Sequence, residues 1–138
     1  MGVDYEIRNI TKGKYKINVY SKEFKEGKLV NQQYLYNSTL TFNKKLDKFN
    51  LSVYQDSENI NVYIADYATS LDFKNIASGI ALFGLKEDKE VQINSELPVI
   101  GYIVGDEVKN IQSSDIDEIF NYKSDKEVLI YLEISKLK

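Results

Sequence analysis

The stretch that decides the fold is FNLSVYQDSENINVYIAD, residues Phe49–Asp66. Phe49, Leu51 and Val53 alternate with Asn50, Ser52 and Tyr54; beyond Asp56-Ser57-Glu58-Asn59, Ile60, Val62 and Ile64 alternate with Asn61, Tyr63 and Ala65. Successive side chains of an extended chain point to opposite faces, so this spacing gathers the aliphatic residues on one side. Two such runs around a cluster of turn residues predict a β-hairpin with one aliphatic face and one carrying tyrosine, asparagine and serine.

The same period extends in both directions. Val3, Tyr5 and Ile7 alternate with Asp4, Glu6 and Arg8, and Tyr15, Ile17 and Val19 with Lys16, Asn18 and Tyr20, which predicts a hairpin turning at Thr11–Lys14. Lys25–Lys28 predicts a glycine turn into Leu29–Tyr36, where Val30, Tyr34 and Tyr36 compete with Leu29 and Leu35 for the inner face. Asn37-Ser38 interrupts the pattern before Thr39–Phe42, and the polar residues of Asn43–Lys48 link it to the central hairpin. Tyr67–Asn75 reads as a loop anchored by Leu71 and Phe73, Ile76–Leu85 as a buried strand rather than a helix, and Glu90–Asn94 as a strand turning Val91 and Ile93 inward. Pro98 opens a strand over Val99–Val104, where its missing N–H does least harm. Ser113–Phe120 carries capping residues, early acids and Ile116, Ile119 and Phe120 on one side, the mark of a helix of about two turns. Val128, Ile130, Leu132 and Ile134 close the chain as a strand.

The expected fold is therefore all-β and mainly antiparallel: a sandwich or barrel of about nine strands with one short helix near residues 113–121. Residues 1–138 read as one domain, long enough to bury a core without disulfides. The net charge of -3 and the single arginine, Arg8, leave no basic stripe to follow a phosphate backbone, so nucleic acid is not an expected partner. No apolar run reaches membrane-spanning length.

Histidine and cysteine are absent, which removes the Ser-His-Asp and Cys-His nucleophiles and the usual zinc ligands. Carboxylate chemistry remains. Glu58, Asp106, Glu107, Asp115, Asp117 and Glu118 are the candidate acids, and turn, loop or helix-start positions account for all of them. Asp115 with Asp117, or the Asp56–Asn59 turn, presents oxygens but lacks the spacing and glycine of a calcium loop. No catalytic residue, metal ligand or cofactor is assigned.

A short phrase recurs: INVY at Ile17–Tyr20, LSVY at Leu51–Tyr54 and INVY at Ile60–Tyr63. In each, a small polar residue and a tyrosine lie two apart and share a face, so neighbouring strands would unite Asn18, Tyr20, Ser52, Tyr54, Asn61 and Tyr63 as a ligand-binding patch. Tyrosine joins apolar area to a polar tip and suits sugar rings or a protein partner. Cross-strand tyrosines also serve simply to cover a solvent-facing sheet.

The segment Lys14–Tyr36, KYKINVYSKEFKEGKLVNQQYLY, with its Glu-Gly-Lys-Leu-Val turn at Glu26–Val30, resembles the opening of small extracytoplasmic domains in uncharacterised lipoproteins of Gram-positive bacteria. The resemblance implies membrane association through a lipidated N-terminal cysteine, an anchor that would have been removed with its leader. Met1-Gly2 fits such an exported segment, and a cytoplasmic protein fits it too. The leading expectation is a non-enzymatic, extracytoplasmic binding or interaction domain at the cell envelope, with an envelope protein or glycan as partner. The alternatives are a β-barrel carrier of a small apolar ligand, prompted by IASGIALFGL and VIGYIV as cavity walls, and a carboxylate-dependent glycan hydrolase.

Overall fold

The computed structural model describes residues 2–56, 58–73, 79–105, 108 and 114–138. Strands form wherever the apolar period runs, and several continue through the expected interruptions. β1 (Gly2–Lys25) and β2 (Lys28–Gln55) pair antiparallel along most of their length. Glu26 (φ 52°) and Gly27 (φ 77°) join them, the two-residue turn with positive φ at both positions that suits the twist of a hairpin. The hairpin expected at Thr11–Lys14 does not form. Asn9 (φ 62°) and Gly13 (φ 150°) take up register shifts between Ile7 and Ile10 and between Thr11 and Gly13, so turn-type residues kink a continuing strand. Asn37 and Ser38 likewise stay in register, opposite Asn18 and Ile17.

β3 (Asn59–Ile64) completes the central hairpin with β2, and β4 (Tyr67–Asp72) replaces the expected loop, with Leu71 and Phe73 buried as its anchors. β5 (Gly79–Gly84), β6 (Glu96–Gly105), the two-residue β7 (Ser114–Asp115) and β8 (Lys126–Lys136) follow. Glu90–Asn94 is not a strand: Asn94 (φ 67°) turns the chain, its N–H donates to the Ile134 carbonyl at 2.8 Å, and Ile93 stays exposed. Ser113 of the expected helix and residues 76–78 of the expected Ile76–Leu85 strand lie outside the described residues, as do the candidate acids Asp106 and Glu107.

The described strands form one sheet in the order β4-β3-β2-β1-β8-β6-β5-β7, antiparallel except for β5 against β7. It is an all-β, curled half-barrel of eight strands; the count is lower than expected because β1 and β2 each absorb segments that read as separate strands.

The curl follows from that length. Gly2–Ile7 of β1 pairs with Phe49–Tyr54 of β2, which pairs with β3, whereas Tyr15–Phe24 pairs with β8, so each long strand serves both ends of the sheet. Leu51, Val53, Ile60, Val62 and Ile64 of one half share a core with Ile17, Val19, Ile100, Tyr102, Ile130 and Leu132 of the other. Phe73 after β4 meets Tyr102 of β6, ring centroids 5.9 Å apart. Tyr5 ties the halves by hydrogen bonds: its hydroxyl donates to the Val99 carbonyl at 2.6 Å and accepts from the Leu85 N–H at 3.0 Å.

A second, smaller cluster covers the outer face, where Tyr20, Ala81, Phe83, Ile103, Leu129 and Tyr131 lie with Ile116 and Ile119. The expected helix appears here as a 3-10 helix, Ile116–Asn121, whose N-cap Asp115 accepts from the Asp117 N–H at 3.1 Å. Three residues per turn align Ile116 with Ile119 and swing Phe120 away, so Phe120 stands exposed, edge-on to Phe24. Gly101 lets the helix sit close, since a Cβ there would collide with Ile119.

Candidate functional site: the outer face of the central hairpin

Because Leu51, Val53, Ile60, Val62 and Ile64 turn inward, their alternates turn out. Ser52 lies opposite Tyr63 and Tyr54 opposite Asn61, which unites four of the six residues picked out by the recurring phrase. The Tyr54 and Tyr63 rings are 38% and 48% exposed, accessible while still backed by strand. β1 adds Asp4 beside Ser52. The Ser52 hydroxyl donates to Asp4 at 2.6 Å and the Tyr54 hydroxyl to its second oxygen. These donors hold the Asp4 carboxyl below its ordinary pKa, Ser52 contributing most, and the same bond raises the Tyr54 phenol. On the other flank, Asn61 donates to Asp56 at 2.9 Å, and the other Asp56 oxygen accepts from the Glu58 and Asn59 amides at 2.9 and 2.7 Å. Asn61 leads these donors in lowering the Asp56 pKa. The result is a patch with two accessible rings, an amide and two carboxylates kept ionised.

Asn18 and Tyr20 are not part of it. They share a face on the other half of the sheet, where Asn18 donates to Glu133 at 3.1 Å. Tyr20 is only 5% exposed and stacks on Tyr131, with centroids 5.5 Å and planes 10° apart. Its hydroxyl donates to Glu96, and that bond is the first cause of a lowered Glu96 pKa. Lys22 bonds both Glu96 oxygens at 3.0 and 3.2 Å and lies 4.7 Å from the centre of the Tyr131 ring. Tyr20 is thus a packing residue, because the edge of β1 at this end is covered by β8. Asp4 is the residue that sequence reasoning missed; its alternate position in β1 put it on the outward face, but nothing in the sequence showed which strand β1 would meet.

The other acids are scattered. Glu58 is exposed in the turn after β2, Asp117 lies 3.7 Å from Lys89 and Glu118 is exposed. Glu127 differs, being 6% exposed, with burial raising its pKa and no hydrogen-bond partner for Oε2 among the described residues. Among the described residues no group of three or more acids stands close enough to hold a metal ion. Open hollows lie at the surface, one of about 360 Å³ lined by Tyr34, Tyr36 and Tyr67, another of about 430 Å³ lined by Glu26, Tyr122 and Glu127. Among the described residues no helix is long and apolar enough to cross a membrane. No protein-family model, curated protein or solved structure matches the chain.

Proposed function

We propose that the chain is a non-enzymatic binding domain of the cell envelope, extracytoplasmic and lipid-anchored upstream of the described strands, and that the outer face of the central hairpin is its contact surface. One observation supports the choice of contact surface: Tyr54 and Tyr63 are held open to solvent on a rigid sheet, beside an Asp4 carboxylate already oriented by two hydroxyl donors. Rings of this kind stack on the apolar faces of sugars or fill pockets in a protein, and an ionised carboxylate accepts from hydroxyls or amides. The two halves of the curled sheet oppose each other over one core as the layers of a sandwich do.

Among the described residues neither alternative gains a supporting feature. A carrier needs an interior of several hundred Å³, whereas the space between the halves holds Phe73, Tyr102, Ile100, Ile130 and their neighbours. A glycan hydrolase needs a facing pair of acids in a cleft, whereas Asp4, Asp56 and Glu96 are each engaged by their own donors.

The test is co-sedimentation of the protein with purified Gram-positive peptidoglycan, and retention on a detergent-solubilised envelope-protein column. Tyr54→Ala/Tyr63→Ala should weaken the retained interaction by about tenfold or more, since a tyrosine that anchors an interface costs about 2 kcal/mol or more when truncated. Equal binding by the double variant, or no binding of the wild type to either material, would overturn the reading.

A further inference from the structure

The longest run without a charged residue, Leu29–Asn43 (LVNQQYLYNSTLTFN), gives only Leu35 and Phe42 to the buried core, with Tyr36 and Leu40 partly covered against it. It lies in β2, which pairs with β1 on one side; β3 takes the other side only from Leu51 onward, and among the described residues no strand pairs with that side of Leu29–Asn43. Lys28–Tyr34 is exposed at every position, so both faces and the free edge of that segment meet solvent. Edge strands are ordinarily guarded by charge or proline, because unpaired N–H and C=O groups invite another strand. Here the fifteen residues supply no charge, no proline and no glycine. Their one defence is a pair of bulges, where the register shifts between Glu23 and Phe24 and between Val19 and Tyr20, which sets Val30 and Leu35 out of the ladder. Tyr36–Phe42 remains as an unbroken ladder, opposite Val19 back to Gly13.

We propose that this edge joins two copies of the chain, Tyr36–Phe42 of one pairing antiparallel with Tyr36–Phe42 of the other about a two-fold axis at Thr39. The register follows from the faces. Tyr36, Ser38, Leu40 and Phe42 lie opposite Val19, Ile17, Tyr15 and Gly13 and so share the core side, while Asn37, Thr39 and Thr41 take the other. An axis at Thr39 sets Tyr36 against Phe42, Asn37 against Thr41 and Ser38 against Leu40, each pair on a single face. An axis at Leu35 would cross the bulge and set Tyr34, which packs on Tyr20, against Tyr36 on the opposite side.

Charge selects the same place. At a net charge of -3 the copies repel on approach, whereas the pairing segment itself carries no charge and its nearest flanking side chains, Lys16 opposite Thr39 and Lys14 opposite Thr41, are cationic. Asn and Thr side chains both donate and accept, so the segment complements itself. Tyr67 of β4 flanks the Tyr36 end of the edge, ring centroids 5.3 Å apart, with an open hollow of about 360 Å³ between it and Tyr34–Ser38. At about 3.4 Å per residue the seven residues Tyr36–Phe42 make a ladder about 24 Å long and one strand wide, a narrow contact beside the roughly 800 Å² per partner of a stable interface, so the dimer dissociates on dilution. The inference is independent of the tyrosine face, which belongs to the other half of the sheet.

The absence of cysteine gives a clean test. In Thr39→Cys the new thiol faces its own copy across the axis, where opposed Cβ atoms are about 4.5–5.5 Å apart. Asn37→Cys faces Thr41 instead, and Glu118→Cys lies on the 3-10 helix. Under mild oxidation Thr39→Cys should form the disulfide about tenfold or more faster than either control, because pairing raises the effective thiol concentration. The wild type should show a dimer by sedimentation equilibrium that falls with dilution, and Thr39→Lys should be monomeric with an unchanged circular dichroism spectrum. A wild type that stays monomeric into the hundreds of micromolar, cross-linking of Thr39→Cys no faster than the controls, or a dimer that survives Thr39→Lys would overturn the proposal.

Discussion

Tyr5→Phe removes a single oxygen at the seam where the curled sheet meets itself. Val99 sits at the register shift between Pro98 and Ile100, so its carbonyl falls out of the β6–β8 ladder and is taken up by the Tyr5 hydroxyl at 2.6 Å. The same oxygen accepts from the N–H of Leu85, just past the end of β5, at 3.0 Å. Each such bond contributes about 1 kcal/mol net, and a stranded buried partner costs more, so the loss is about 2–3 kcal/mol. At roughly 2.1 cal/mol/K per residue, unfolding 138 residues releases about 0.29 kcal/mol/K, so the expected fall in Tm is about 7–10 °C. Urea unfolding followed by circular dichroism should show the midpoint falling with the m-value unchanged, since the ring stays and the folded area is the same. Tyr54→Phe makes the identical chemical change on the exposed face and should stay within about 0.5 kcal/mol of wild type. A Tyr5→Phe protein that melts within about 1 °C of Tyr54→Phe would refute the view that this hydroxyl closes the seam.

Gly27→Ala places a Cβ at φ 77° beside Glu26 at φ 52°, in open space, so only backbone strain opposes it; about 1 kcal/mol of destabilisation by urea titration is expected, and a neutral result would contradict the turn geometry. Glu127→Gln should flatten one part of the pH–stability curve. Burial raises the folded-state pKa of Glu127, so its contribution is full below the unfolded value of about 4.3 and is lost as pH rises through the folded value. The difference between variant and wild-type Tm should therefore favour the variant increasingly from pH 4 to pH 7; parallel curves would show that Glu127 titrates alike in both states. Asp4, Asp56 and Glu96, whose pKa values are lowered, act in the opposite sense on acidification and cancel from that difference.

Period-two alternation identified the inward residues well: Ile17, Val19, Leu51, Val53, Ile60, Val62, Ile64, Ile130 and Leu132 are all buried. Turn chemistry was less decisive, because glycine and asparagine mark any departure from regular φ. Glu26-Gly27 reverses the chain, whereas Asn9 and Gly13 only kink it, and the difference lies in whether β2 continues as a partner far along the sequence. The helix at Ile116 was legible from its cap and acids, but its 3-10 winding depends on packing over Gly101, which no local pattern records. The tyrosine phrase had the same limit. Ser52, Tyr54, Asn61 and Tyr63 came together because their strands adjoin in sequence, while Tyr20 went to Tyr131 across a long-range pairing.

That pairing also governs when the molecule can finish folding. The second half of β1, made early, is flanked on one side by β2 and on the other by β8, whose residues lie more than a hundred positions downstream: Tyr15 meets Lys136 and Phe24 meets Glu127. Contacts of such sequence separation form slowly. Until the last strand emerges during synthesis, one side of Ile17 and Val19 has no neighbour, so this half of the sheet closes only when nearly the whole chain has been made.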